Sequence, residues 1–179
     1  MKKPAFRRHA AGFSLMELVV VVAIIVVLAA LTLVGMSFIN AKQARDKAAL
    51  QVKLLDLAIE DYKSDNKTYP SHQDSEGLKG DEVLYKALYY DGFEAKESGG
   101  TIYLADLDPE NNTKGGQAWM QGKGPTAQIV DPWGNTYRYR SGDAPDSRNP
   151  DFDVWSCGPD GKTNPDPKNK DSLDDIGNW

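Results

Sequence analysis

The residue in this sequence best placed to do chemistry is Glu17, because it is a carboxylate at the edge of a long apolar segment. It is the only Asp, Glu, Lys or Arg between Arg8 and Lys42, and it precedes an almost unbroken apolar run from Leu18 to Gly35. A run of about 20 apolar residues can cross the roughly 30 Å hydrocarbon core of a bilayer. Placing a carboxylate in that setting costs about 2.5–3.5 kcal/mol. We therefore expect Glu17 to have a function and a cationic partner.

A second group of chemically useful residues is concentrated at the C-terminal end. Nine aspartates lie between Ser141 and Trp179, against one arginine and three lysines. Carboxylates in a loop with glycines suit Ca²⁺, which takes 6–8 oxygen ligands at about 2.3–2.6 Å. An EF-hand loop that begins at Asp160 is excluded, because Lys162 and Pro165 stand where it needs an acceptor and a glycine. The alternative is a solvated tail, against which the isoleucine and tryptophan among the last four residues argue.

The rest of the composition excludes several kinds of site. A single cysteine, Cys157, cannot form an intramolecular disulfide, and the two histidines are too few for a zinc site. The sequence contains no P-loop and no evident nucleophile–base pair. Because carboxylates are plentiful, a membrane-anchored hydrolase with paired carboxylates stays open as an alternative. A domain of this size with so much loop is small for such an enzyme.

Charge is divided between the two ends of the apolar run. Lys2, Lys3, Arg7 and Arg8 contribute +4 to a formal net charge of −5, which leaves −9 for the remainder. A basic head before an apolar span stays in the cytoplasm, so we expect the acidic remainder on the far side of the membrane. An acidic domain also argues against nucleic acid as a partner, since the phosphate backbone attracts Lys and Arg.

The elements that must position these groups begin with one long helix, predicted from about Phe13 to Asp65. Its second half carries a helical stripe of apolar residues that we expect to pack on the globular domain, namely Leu50, Leu54, Leu57 and Ala58. Asn66 and Pro70 end the helix. Residues 81–90 predict a second, short helix whose tyrosines belong to the core and its rim.

The C-terminal half predicts a turn and two strands. Trp133, in the turn at 131–135, is assigned to the core. A strand follows, in which Tyr137 and Tyr139 alternate with arginines, and residues 151–156 predict a further alternating strand.

Three interpretations compete for the N-terminal segment. A secretory signal peptide has a shorter apolar region and a small-residue cleavage site, which this run lacks. A plain membrane anchor fits the length but leaves Glu17 unexplained. The segment Ala11-Gly12-Phe13-Ser14-Leu15-Met16-Glu17-Leu18 resembles the leader and cleavage site of type IV pilins and type II secretion pseudopilins.

This resemblance implies specific roles for residues of the leader. A prepilin peptidase would cut after Gly12 and methylate the new N-terminal amine of Phe13. Glu17 would then be the fifth residue of the mature chain. In an assembled filament its carboxylate would pair with the α-amino group of a neighbouring subunit, as a compensated buried charge.

Two further blocks resemble the major pseudopilins of type II secretion. They are residues 61–70 and the C-terminal part from Asp131-Pro132-Trp133-Gly134-Asn135 to the end. The Trp-Ser-x-Gly-x-Asp-Gly element and the terminal Asp-Asp-Ile-Gly-x-Trp resemble a calcium-binding loop. The resemblance implies carboxylate ligands from Asp160, Asp174 and Asp175, and backbone carbonyl ligands near Cys157 and Ser172.

The implied fold is α+β: a long N-terminal helix packed on a small antiparallel sheet, with a loop-rich C-terminus. The implied organisation is a cleaved leader at 1–12, a transmembrane and filament-core helix at 13–40, and a periplasmic globular domain at 41–179. The implied function is that of a structural, non-enzymatic pseudopilus subunit of the inner membrane. Its partners would be further copies of itself, minor pseudopilins, the prepilin peptidase and the inner-membrane secretion platform. A type IV or competence pilin is the alternative, although a single cysteine cannot make the C-terminal disulfide loop frequent in such pilins.

Overall fold

The computed structural model describes residues 13–71, 80–111, 119–142, 144 and 146–179, with the backbone alone for 32–37. The first helix, α1, runs over Leu15–Asn66, close to the predicted bounds. The chain divides into two units, one that ends at Ala41 and one from Lys42 to Trp179. Gly12, the predicted cleavage residue, lies outside the described residues.

In the N-terminal unit, α1 begins with a side-chain cap. The hydroxyl oxygen of Ser14 accepts a hydrogen bond from the backbone N–H of Glu17 at 3.2 Å, which satisfies one of the free donors of the first turn. The large apolar side chains between Phe13 and Leu31 are 47% to 82% exposed. Over the described residues no helix meets the length and apolarity needed to cross a membrane. The membrane span therefore stays a prediction.

In the C-terminal unit, α1 packs one face against the rest of the chain. The buried residues of this face recur at helical spacing: Ala48, Gln51, Val52, Leu55, Ala58 and Ile59. The predicted stripe is confirmed for Ala58, which is buried, and for Leu54, which packs against the core. It was wrong for Leu50 and Leu57, which are 58% and 54% exposed. That prediction favoured leucine because its side chain is more apolar than that of alanine or glutamine. Close packing of α1 on the sheet instead favours small side chains and a hydrogen-bonded amide.

The predicted second helix is confirmed and is followed by two further turns of irregular helix. An α-helix, α2, covers Gly80–Tyr85, a π-helical turn covers Lys86–Tyr90, and α3 covers Asp91–Glu94. Tyr85 and Tyr89 are buried, as expected for core and rim residues.

Five short strands complete the described fold in two antiparallel sheets. Strands β1 (Met120–Gln121) and β2 (Gln128–Ile129) form one pair. Strands β3 (Arg138–Ser141), β4 (Phe152–Ser156) and β5 (Ile176–Gly177) form the other sheet, in that order. The C-terminal tail is therefore part of the sheet, and the α+β class is confirmed.

Strand β3 alternates as predicted, with Tyr139 buried and Arg138 exposed. Strand β4 does not, because all five of its residues are buried. One face packs on the core through Phe152 and Val154, and the other is covered by the tail, where the rings of Trp155 and Trp179 are 5.8 Å apart.

The core joins α1, α2 and both sheets. Two polar contacts fix α1 to the C-terminal half: the Tyr137 hydroxyl donates to the Gln51 side chain at 2.8 Å, and the Asn178 amide donates to Asp56 at 3.1 Å. Trp133, assigned to the core, is only half-buried. It lies in the turn at 131–135, and the tryptophan that packs in the core cluster is Trp119.

Candidate functional site

The N-terminal end of α1 places Phe13 and Glu17 in the open. Phe13 is 81% exposed, and Glu17 is the third residue of the helix. A carboxylate in the first turn interacts favourably with the positive end of the helix dipole. The Ser14-x-x-Glu17 spacing is a capping-box signal that the sequence reasoning missed. Glu17 thus has a local structural role beside the assembly role predicted for it.

The C-terminal loop is anchored by the turn at 131–135. Asp131 is 2% exposed, and one of its carboxylate oxygens accepts the backbone N–H groups of Trp133 and Asn135 at 3.0 and 2.9 Å. Its other oxygen accepts the hydroxyl of Ser156, the last residue of β4, at 2.6 Å. Gly134 has φ of 88°, a left-handed conformation that favours glycine. The Asp-Pro-Trp-Gly-Asn pattern therefore encodes a turn whose acid joins it to β4.

From that anchor the chain enters the loop through Gly158. The Asn135 side-chain amide donates to the Gly158 carbonyl at 2.9 Å, and the Ser156 hydroxyl accepts the Gly158 N–H at 3.0 Å. A side chain at Gly158 would place its Cβ 2.5 Å from the carbonyl oxygen of Asp174. Both ends of the loop are thereby brought close together, and Asn135 and Ser156 are positioning residues that sequence reasoning did not single out.

The three predicted carboxylates do not occupy equivalent positions. The backbone N–H of Asp160 donates to the Asp174 carboxylate at 3.3 Å, while the Asp160 side chain turns back to accept the Lys162 N–H at 2.9 Å. Asp175 accepts the Thr163 hydroxyl at 2.8 Å. Asp160 is exposed, whereas Asp174 and Asp175 are half-buried.

Among the three predicted carboxylate ligands, Asp175 has the environment that most favours a bound cation. Its Oδ1 is buried without a hydrogen-bond partner among the described residues. Burial raises the pKa of Asp175 above its usual range, against the opposing effects of the Thr163 hydrogen bond and the nearby Arg148, while the charge of Asp174 raises it further. A buried, unpaired carboxylate oxygen is costly unless something pairs with it.

The middle of the loop is held by Ser172. This residue is buried, and its hydroxyl exchanges hydrogen bonds of 2.8 Å with both the N–H and the carbonyl of Asn164. Asn169 caps the short 3-10 turn Lys170–Ser172 by accepting the Asp171 N–H. The side chain of Ser172 therefore fixes the loop, and its backbone carbonyl is left for the predicted ligand role. Cys157 is buried, and burial raises the pKa of its thiol.

The donor set fits a hard cation in its chemistry. Asp174 and Asp175 are adjacent, one buried oxygen lacks a partner, and the surrounding groups are carboxylates, hydroxyls and amides rather than thiolates or imidazoles. In the described part of the chain, no three Asp, Glu, His or Cys side chains gather into a group that could hold a metal. A site here would thus depend on two carboxylates supplemented by backbone carbonyls, and the full predicted ligand set stays a prediction.

Comparison with known proteins places these features in one family. The family described as "Type II secretion system (T2SS), protein G" matches residues 101–179, which contain the anchoring turn and the acidic loop. The "Prokaryotic N-terminal methylation motif" matches residues 7–33. The type II secretion system core protein G of Pseudomonas aeruginosa is 37% identical over 174 residues, which are 97% of each chain. This chain belongs to the type II secretion core protein G family.

Other relatives of the same description are more distant but equally extensive. The core protein G of Vibrio cholerae is 29% identical over 96% of this chain and 93% of its own. That of Pectobacterium carotovorum is 28% identical over 94% of this chain and 83% of its own. The resemblance to type II secretion pseudopilins is therefore confirmed, and the matches favour it over the alternative of a type IV or competence pilin.

Proposed function

We propose that this protein is a structural subunit of a type II secretion pseudopilus, which polymerises through the N-terminal half of α1 to drive protein export. One observation carries the proposal: the large apolar side chains from Phe13 to Leu31 are 47% to 82% exposed, with Glu17 the only charged residue among them. An apolar surface of this extent is stable only in a membrane or against other apolar helices. The protein acts mechanically and not as an enzyme.

Glu17 sets the axial position of each subunit in this assembly. Cleavage after Gly12 by the prepilin peptidase frees the α-amino group of Phe13, which is then methylated. When helices pack in the filament, the Glu17 carboxylate of one subunit pairs with that amine of its neighbour. An unpaired carboxylate in an apolar bundle is strongly unfavourable, so a subunit inserted at the wrong height is rejected.

The second half of α1 contributes further contact surface. Leu50 and Leu57 are exposed and, seven residues apart, form a stripe on the helix side away from the core. In a filament this stripe faces neighbouring subunits, since a soluble monomer gains nothing from it.

We also propose that the C-terminal loop binds calcium through Asp174 and Asp175, with Asp160 and the backbone carbonyls near Cys157 and Ser172 as further ligands. The unpartnered buried Oδ1 of Asp175 supports this assignment. A bound calcium ion would supply the positive charge that the two adjacent carboxylates lack. Thr163 orients Asp175 through its hydroxyl, and the contact of the Asp160 N–H with Asp174 holds the two ends of the loop together.

The proposed function implies a location in the cell envelope. We propose a single-pass inner-membrane precursor with a cytoplasmic N-terminus and a periplasmic C-terminal unit, later assembled into a periplasmic filament. The four basic residues ahead of the apolar run support that orientation. Minor pseudopilins, the prepilin peptidase and the inner-membrane secretion platform are the proposed partners.

The experiment that tests the proposal replaces the Glu17 carboxylate. Glu17→Gln removes the charge but keeps the shape, so filaments and secretion should be lost while the unfolding midpoint of the C-terminal unit is unchanged. Filaments are scored by electron microscopy, and secretion by an exported reporter, in cells that carry the variant as their only copy. Glu97→Gln, at an exposed glutamate far along the chain, is the matched control. Wild-type filaments from Glu17→Gln would overturn the proposed assembly role.

A further inference from the structure

A cavity with aromatic walls lies apart from the residues proposed above for assembly and calcium. It has a volume of about 330 Å³, within the range of small-ligand sites. Tyr85, Tyr89, Tyr90 and Phe93 supply its aromatic wall, and Asp108 and Glu110 add carboxylates to the same lining. Neither the assembly of α1 helices nor the calcium loop makes use of it.

The aromatic wall spans an irregular part of the helical segment. Residues Lys86–Tyr90 form a π-helical turn between α2 and α3, and such turns occur frequently at functional sites. The rings of Tyr85 and Tyr89 stack with centroids 5.8 Å apart, and those of Tyr89 and Phe93 stack at 5.7 Å with planes only 12° apart. The result is a continuous ladder of three rings, of which Tyr85 is 1% exposed and Phe93 is 49% exposed.

The exposure of Phe93 is informative because the rings beneath it are buried. Tyr85 and Tyr89 already have their places in the core. Phe93 extends the ladder outward and lines the cavity. Because this position is half exposed, a polar side chain could stand there without a desolvation cost, so core packing alone does not require an aromatic ring.

The charge of the cavity is negative. Glu94, Asp108 and Glu110 contribute three carboxylates to its lining, against the single ammonium of Lys123. Backbone donation from Glu110 lowers the pKa of Asp108, with further contributions from Asn111 and Tyr89, so that this acid is ionised at neutral pH. Burial raises the pKa of Tyr85 to about 12, and the charge of Asp108 contributes to the same shift.

We infer that this cavity binds the side chain of an arginine in a partner polypeptide. A guanidinium group stacks on aromatic faces, with attraction from the ring quadrupole, and its donors suit the carboxylates of the same lining. Its aliphatic stem matches the apolar part of the lining. A neutral sugar would also stack on aromatic rings, but it would not use the excess of carboxylates over cations.

Lys123, which lines the cavity, provides a further test of the inference. Lys123 Nζ lies 4.0 Å from Glu110 Oε1, and both side chains are more than three-quarters exposed, at 78% and 77%. An exposed pair of this kind is weak, so an incoming guanidinium can displace the ammonium from the carboxylate. Removal of Lys123 should therefore strengthen arginine binding rather than weaken it.

The test is an NMR titration of the full chain in detergent micelles, with the aromatic ring signals as the reporter. The probe is the peptide acetyl-Gly-Arg-Gly-amide, and the matched control peptide carries citrulline, which has the shape of arginine without its charge. We expect the citrulline peptide to bind at least tenfold more weakly. Equal binding of the two peptides, or stronger binding of a neutral disaccharide such as maltose, would overturn the inference.

Three variants place the binding in this cavity. Phe93→Ala and Glu110→Gln change exposed side chains, so both should keep the wild-type unfolding midpoint and weaken the arginine peptide by about threefold to tenfold. Lys123→Gln should tighten it by about twofold to threefold. Glu97→Gln, outside the cavity, should leave it unchanged. If Phe93→Ala and Glu110→Gln bind as the wild type does, the cavity is not the site and the inference fails.

A last arm identifies the source of the arginine. Among the described residues the exposed arginines are Arg45 and Arg138. If a second copy of this chain supplies the group, Arg45→Gln or Arg138→Gln will reduce self-association in sedimentation measurements as much as Glu110→Gln does. If neither does so while the peptide still binds, the arginine comes from another protein of the secretion machinery or its cargo.

Discussion

The two parts of α1 on either side of Ala41 share one backbone conformation and have opposite surroundings. Before Ala41, the large apolar side chains from Phe13 to Leu31 are all at least 47% exposed. Beyond it, Leu55 and Ile59 are completely buried in the C-terminal unit. A helix with apolar residues all round has no preferred face, so it must be covered by lipid or by other helices, whereas an amphipathic helix is covered by its own chain.

This difference separates folding from assembly. The second part of α1 is fixed by contacts within the unit, including the hydrogen bond from the Tyr137 hydroxyl to Gln51. In the first part, the large apolar side chains from Phe13 to Leu31 stand open. Substitutions in one part should therefore alter stability, and substitutions in the other should alter polymerisation.

The largest expected effect tests that separation directly. Ile59→Ala should destabilise the C-terminal unit by about 2–5 kcal/mol, because it opens a cavity at a fully buried site. Ile25→Ala removes the same atoms from a side chain that is 58% exposed and should change the free energy of unfolding by less than about 0.5 kcal/mol. Urea unfolding of the full chain in micelles measures both. Similar losses for the two variants would break the comparison.

A second, smaller effect is expected inside the C-terminal unit at Asp131. Asp131→Ala leaves the N–H groups of Trp133 and Asn135 and the hydroxyl of Ser156 without their acceptor. Each unsatisfied buried group costs about 1–3 kcal/mol, and partial access of water to the turn should hold the total loss near 3 kcal/mol. Thermal unfolding measures it, with Asp166→Ala at an exposed loop position as control. A loss no greater than that of the control would show that the turn does not depend on its acid.

A third prediction concerns Asp175, whose effect should reverse sign with calcium. Calcium at one hundred times its dissociation constant should stabilise the wild type by about 2.7 kcal/mol, and Asp175→Asn should remove most of this gain. With EGTA at neutral pH, Asp175→Asn should instead be more stable than the wild type, because burial and the neighbouring Asp174 disfavour the ionised carboxylate of Asp175. Differential scanning calorimetry with calcium and with EGTA measures the stability difference between the variant and the wild type in each condition.

The same carboxylate predicts a pH dependence in the absence of calcium. Burial raises the pKa of Asp175 in the folded state, so its protonated form favours folding below the unfolded-state pKa. That contribution is lost as the pH rises through the raised folded-state pKa. On acidification in EGTA, the free energy of unfolding of the wild type should therefore increase relative to that of Asp175→Asn. A constant difference between them across this range would contradict the buried-charge account.

The smallest effect on folding is expected for Leu57→Ala, at a position 54% exposed within the second part of α1. It should change the free energy of unfolding by less than about 0.5 kcal/mol and still reduce filament yield in electron micrographs. Val52→Ala, at a buried position on the opposite side of the helix from the stripe, should show the reverse. A normal filament yield for Leu57→Ala would restrict the assembly surface to the part of α1 before Ala41.

The sequence predicted the local features of the molecule more accurately than its packing. The helix bounds, the strand at Tyr139 and the turn at 131–135 follow from spacing and from residues such as Gly134, whose conformation is a local property. The face of α1 that is buried was predicted only in part, because Leu50 and Ala48 compete for the core and apolarity alone does not decide between them. That decision belongs to the sheet packed against the helix.

The candidate site shows the same division. Asp174 and Asp175 could be named from their pattern, whereas the contributions of Asn135, Ser156 and Thr163 could not. Those three residues act through contacts with partners 12 to 25 positions away in the chain. No local pattern of residue types contains that information.

By itself the sequence determined the apolar N-terminal helix with its single carboxylate, the family to which the chain belongs and the acidic character of its C-terminal loop. These properties depend on the order of residues along the chain, which a short-range pattern records. The tertiary structure alone decided which face of α1 is covered, that β4 is buried on both sides, and which oxygen of Asp175 has no partner. Burial and hydrogen-bond satisfaction are set by segments distant in sequence, so they exist only once the chain has folded.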